Sequence, residues 1–170
     1  MPHVQPCVVP SNSFLQKYKE GAGFADCYCI EVSAHVTQEK FIAAFYTSRL
    51  FKLERTLLKF LASKPATDAD ASRLAAGQAK TFSAWKVEAQ TASELLLADF
   101  TGRTRSWLMA EQIDSPSAAT RLYFGSAVLP RNSTGVGKQN MGFIFHALLG
   151  FHQIYSKSLL RAASRQVQAR

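Results

Sequence analysis

The closing third of the chain constrains the fold most. After Gly137, a stretch of about 25 residues carries apolar side chains at the spacing of an α-helix, at about 100° per residue. Ile144, Phe145, Leu148, Leu149, Phe151, Tyr155, Leu159, Ala162 and Ala163 form one broad arc, with His146, Gln153, Lys157, Arg161 and Ser164 opposite. A helix this long with one apolar face must lay that face on another element, and the segments before it supply one.

Asp26 to Val32 alternates Cys27 and Cys29 with Tyr28, Ile30 and Val32, a period of two that predicts a strand. Thr37 offers an N-cap to a short helix through Phe41, Ile42 and Phe45, and a second helix is expected from Leu50 to Ala62. Pro65 ends that helix; Asp68 is expected to cap a third, Ala69 to Ala76, closed by Gly77. Strands are then expected over Lys80–Gln90, Glu94–Phe100, Arg103–Gln112 and Arg121–Leu129, with Asp99 to Gly102 as a hairpin. Strands joined by short turns predict an antiparallel meander. The expected fold class is α+β: a sheet of about five strands, helices after the first strand, and the long C-terminal helix packed on the sheet.

With 170 residues, one domain is expected over 26–170, preceded by an extended or disordered lead-in over 1–25 that Pro2, Pro6 and Pro10 interrupt. No apolar run approaches the roughly 20 residues of a membrane span, and the N-terminus lacks a signal-like apolar core, so a cytoplasmic protein is expected. Cys27 and Cys29 read as small core residues on one strand face; a metal site combining them with His35 is the less favoured alternative, and no cofactor is expected. Up to Asp114, 13 Lys and Arg face 12 Asp and Glu, whereas Ser115 to Arg170 holds seven basic residues and no acidic one. That basic third lacks interleaved aromatics, so a solvated helix face is preferred to a nucleic-acid footprint.

The order strand, helices, meander and closing helix resembles the helix-grip architecture of the START, Bet v 1 and polyketide-cyclase superfamily. The segments Glu94-Leu-Leu-Leu-Ala-Asp-Phe-Thr-Gly-Arg-Thr-Arg-Ser-Trp-Leu108, Thr120-Arg-Leu-Tyr-Phe-Gly-Ser126 and Phe151-His-Gln-Ile-Tyr-Ser-Lys-Ser-Leu-Leu160 are similar to a bacterial branch of it that has no assigned function. The resemblance implies a ligand held between sheet and closing helix. Superfamily members have six or seven strands, so either this sheet is trimmed, with the third helix replacing a hairpin, or a strand near Lys80 has been passed over.

No catalytic set is expected. Ser126 lacks the Gly-x-Ser-x-Gly elbow of hydrolases, and Gly135-Val-Gly-Lys138 lacks the spacing of a phosphate loop. Asp99, Arg103, Arg105, Glu111 and Arg121 read as cross-strand ion pairs. His152, Tyr155 and Ser156 place polar tips on the apolar arc, where each needs a partner. The leading expectation is a small apolar ligand contacted by His152, Tyr155, Ser156, Trp85, Trp107, Phe145 and Tyr123. One alternative is an enzyme of cyclase or dehydratase type using His152 as acid or base. The other is a protein or nucleic-acid interaction module using Lys157 and Arg161. For His152 and the aromatic residues, plain core packing is the competing explanation.

Overall fold

In a computed structural model, residues 3–19, 24–53, 65–113, 118–129 and 142–169 are described, with 142–151 as helical backbone alone. Seven strands form one antiparallel sheet: β1 (Gln5–Pro6), β2 (Phe24–Val32), β3 (Thr81–Phe82), β4 (Trp85–Gln90), β5 (Glu94–Asp99), β6 (Thr104–Ile113) and β7 (Ala119–Val128), in the order β1-β2-β7-β6-β5-β4-β3. The helices are α1 (Gln16–Lys19), α2 (Gln38–Thr47), α3 (Asp68–Ala75) and α4 (Gly142–Gln168). The fold is therefore α+β with α4 packed on the sheet, against β2 and β7 and beside α2.

The expected five strands are corrected to seven. One addition is the strand near Lys80: the stretch to Gln90 folds back on itself, pairing Phe82 with Trp85 across a tight turn in which Ser83 takes φ 52°. Glycine or asparagine normally marks such a position, and serine does not. The other is β1, only two residues long, which extends the sheet beyond β2.

The starts of α2 and α3 have local causes. The Thr37 hydroxyl accepts from Lys40 N–H at 3.2 Å. In α3 the cap is Thr67, one residue before the expected Asp68, and its reciprocal partner is Asp70. The hairpin at Gly102 forms as expected, with φ 71°, and Asp99 Oδ1 accepts from Arg103 N–H at 2.8 Å and Thr104 N–H at 2.9 Å. Residues 49–53 continue as helix; the remainder of the expected second helix, through Ala62, lies outside the described residues.

Both faces of the sheet are buried. Tyr28, Ile30, Val32, Leu95, Leu97, Leu108, Leu122 and Phe124 meet the helices, where Phe41, Phe45, Tyr46 and Phe51 form an aromatic cluster. On the reverse face Cys27, Cys29, Leu96, Trp107, Met109, Tyr123 and Ala127 are covered by Val9 and Leu15 of the N-terminal segment. Residues 3–19, expected as an extended or disordered lead-in, thus form the third layer. Phe14 N–H donates to Glu94 Oε2 at 2.8 Å, and the same oxygen accepts from Trp107 Nε1 at 2.8 Å. At the rim Glu88 joins Lys17 at 2.7 Å and Arg105 at 2.6 Å. Arg121 pairs across strands with Glu31 at 2.6 Å, as its sequence setting suggests.

Gly125 makes this third layer fit. A Cβ there would stand 2.5 Å from Leu15 Cδ2, 2.8 Å from the Asp26 carbonyl oxygen and 3.1 Å from the Trp107 ring. The Leu15 methyl can swing away, but the β2 backbone cannot without disturbing its pairing. Gly125→Ala is expected to cost about 1–3 kcal/mol, as overpacking does elsewhere. Urea titration checks this, and an unchanged midpoint would contradict the seating of Leu15.

Candidate functional site

Alternation along three neighbouring strands sets a polar row on the helix-facing side. Ser106 of β6 is in register with Ser126 of β7, and Ser126 with Asp26 of β2. The next row toward the main core is Leu108, Phe124 and Tyr28, so the polar row lies at the border of the apolar interior. α4 brings His152 and Ser156 down onto it.

The Ser126 hydroxyl is 2.6 Å from Asp26 Oδ1 and 2.6 Å from His152 Nε2. Its single proton goes to the carboxylate, so Nε2 carries the proton it shares with the serine oxygen; this tautomer follows from the bonding pattern. His152 Nε2 also lies 3.5 Å from Ser156 Oγ and 3.6 Å from Asp26 Oδ2. Ser126 N–H adds a further bond to Asp26 Oδ1 at 3.2 Å. Asp26 Oδ2 is buried and has no hydrogen-bond partner among the described residues, while the Asp26 side chain is 10% exposed.

Asp26 also acts on its neighbour. Burial first, and then the Asp26 carboxylate, push the Tyr28 hydroxyl up to about 12, and Lys157 Nζ sits 5.4 Å from the Tyr28 ring centroid. The border of the core therefore holds the Asp26 carboxylate, the Lys157 ammonium, the His152 imidazole and the hydroxyls of Ser106, Ser126, Ser156 and Tyr28.

Serine, histidine and aspartate together invite comparison with a hydrolytic triad, but the wiring differs. In a triad the carboxylate orients the imidazole through Nδ1, leaving Nε2 to take the serine proton. Here the carboxylate meets Ser126 and the Nε2 side of the ring, so the serine proton is already committed to Asp26. The arrangement is a donor relay, from Nε2–H to Ser126 to Asp26, ending on an acceptor oxygen.

Of the expected ligand residues, His152, Tyr155 and Ser156 sit on the sheet-facing side of α4, with Ser156 fully buried and Tyr155 half-buried against the main core. Trp85 faces the helices too, but on β4, four strands from Asp26. Trp107 and Tyr123 require correction: they point to the reverse face, beneath the N-terminal segment, because odd-numbered residues of β6 and β7 turn away from α4. The Phe145 side chain lies outside the described residues. Asp26 and Ser126 are members of the polar cluster around His152 that sequence reasoning missed. Asp26 shares its strand parity with Tyr28, Ile30 and Val32, so a carboxylate on the apolar face was the available signal.

An open depression of about 390 Å³ lies between α2, α3 and the end of α4, bordered by Lys40, Ala44, Ser72 and Gln166. His152 and Gln166 are 14 positions apart on α4, which is about 21 Å of helix, so this depression is separate from the polar row. Among the described residues no three His, Cys, Asp or Glu side chains are arranged so that they could hold a metal ion, and no helix is long and apolar enough to cross a membrane. No family model, no curated protein and no solved structure shows a significant match to this chain.

Proposed function

We propose that the protein binds a small, largely apolar molecule carrying a hydroxyl group, held between the sheet and α4. The hydroxyl donates to Asp26 Oδ2, with His152, Ser156 and Tyr155 around it. The observation that carries this reading is the orphaned Oδ2. Among the described residues this oxygen has no hydrogen-bond donor within reach, His152 Nε2 standing 3.6 Å away, and a buried carboxylate oxygen left so costs about 1–3 kcal/mol or more. The helix-grip resemblance supports the same location.

The test uses the full chain with 1-decanol and its methyl ether, which has the same apolar body and no donor. The alcohol is expected to raise the melting temperature in a concentration-dependent way and to bind roughly tenfold or more tightly than the ether. Asp26→Ala is expected to erase the difference. Equal binding of the two probes, or none of the alcohol, would refute the reading.

The acid–base alternative draws on the same residues, with the Asp26-Ser126-His152 relay moving a proton to or from a bound substrate. It separates from simple binding in His152→Gln, which would lower turnover of a substrate far more than it lowers probe affinity.

A further inference from the structure

On the reverse face of β2, three thiols converge from two segments far apart in sequence. Pro6 pairs with Tyr28, so Cys7 is the next residue in register and stands opposite Cys27, donating its N–H to the Cys27 carbonyl at 3.0 Å. The two sulfurs are 3.1 Å apart, and both cysteines are free. Cys29, two residues along the same face, completes the cluster.

We propose that Cys7 and Cys27 are a dithiol site that closes to a disulfide, locking the N-terminal layer onto the sheet. Residues directly opposed on antiparallel strands have Cα atoms about 4.5–5.5 Å apart, inside the range that disulfides span. An S–S bond of about 2.05 Å needs the sulfurs to approach by about 1 Å. The partner chemistry is thiol–disulfide exchange with a small disulfide such as oxidised glutathione. The Cys7 thiolate attacks one glutathione sulfur and releases one glutathione thiolate. Deprotonated Cys27 then attacks the Cys7 sulfur of the mixed disulfide and releases the second. The two thiol protons pass to the departing thiolates, so two cysteine thiols are oxidised and one glutathione disulfide is reduced to two thiols.

Cys7 is the attacking group because it is partly exposed, whereas Cys27 and Cys29 are buried. The hydrogen bond with the Cys27 thiol, and then burial, raise the Cys7 thiol above its ordinary value, and burial raises Cys29 to about 11. Little thiolate is present at neutral pH, so closure is slow and accelerates as pH rises. The site behaves as a latch that sets under sustained oxidising conditions.

The experiment equilibrates the full chain with excess oxidised glutathione at mildly alkaline pH, alkylates free thiols and maps the peptides under non-reducing conditions. One Cys7–Cys27 cross-link, one alkylated Cys29, and a melting temperature higher by about 5 °C or more are expected. Cys29→Ser should form the same cross-link, and Cys7→Ser should lose it. Three alkylated cysteines, a cross-link involving Cys29, stable glutathione adducts without closure, or a cross-link that leaves the melting temperature unchanged would each overturn the proposal.

Discussion

Trp107→Ala is expected to remove about 3–5 kcal/mol of stability, a large part of the roughly 5–15 kcal/mol that holds a domain of this size. Trp107 is fully buried beneath the N-terminal layer, beside the Tyr123 ring at 5.9 Å. Its removal leaves a cavity on a face that, among the described residues, the N-terminal segment covers. It also deprives the buried Glu94 carboxylate of the indole N–H, one of the two donors it has among the described residues. The effects can be separated. Trp107→Phe retains most of the apolar volume but strips the donor, and should cost about 1–3 kcal/mol. Urea unfolding followed by circular dichroism measures both, and a loss below about 1 kcal/mol for Trp107→Ala would mean that the N-terminal segment does not cover this face.

Alkaline pH should produce the second large loss. Tyr28 and Tyr123, both buried, have hydroxyls pushed up to about 12: the first by burial and the Asp26 carboxylate, the second by burial and by its hydrogen bond to Glu111. In the unfolded chain both return to the ordinary value near 10. Between these limits the folded state holds two protons that the unfolded state has released, so stability falls as pH rises. The contribution is fully present below about pH 10 and is lost as pH climbs through about 12. At about 1.4 kcal/mol per unit per group, the total is on the order of several kcal/mol. Unfolding free energies measured across this range should slope downward in the wild type and less steeply in Tyr28→Phe and Tyr123→Phe. A flat profile would show that neither hydroxyl is held in its neutral form.

Much of the helix-facing half of the fold was legible. The Thr37 cap, the period of two in β2 and, on the described part of α4, the inward-facing Tyr155, Leu159 and Ala163 are local patterns, although Ser164, expected on the polar side, is buried. What was not legible depends on contacts distant in sequence. Leu95, Leu96 and Leu97 are all buried, so β5 shows no alternation, and the face on which Trp107 lies had no marker. The prolines near the N-terminus suggest a break in structure. Yet Val4, Val9 and Leu15, too sparse to form a period, are buried on the sheet. His152 was singled out because one helix displays it. Its partners Asp26 and Ser126 are drawn together by a strand pairing that spans 100 positions.

That pairing also bears on how the chain is made. β2 leaves the ribosome about 100 residues before β7, its central neighbour, which at about 5–20 residues per second is a wait of roughly 5–20 seconds. During that interval an apolar strand is available to the wrong partner. Asp26 and Glu31, near its two ends, place a charge on each of its faces and disfavour stacking with another chain. The carboxylate at the edge of the finished core is thus also a charge on the nascent strand, of the kind that disfavours aggregation while its pairing strand is still to be synthesised.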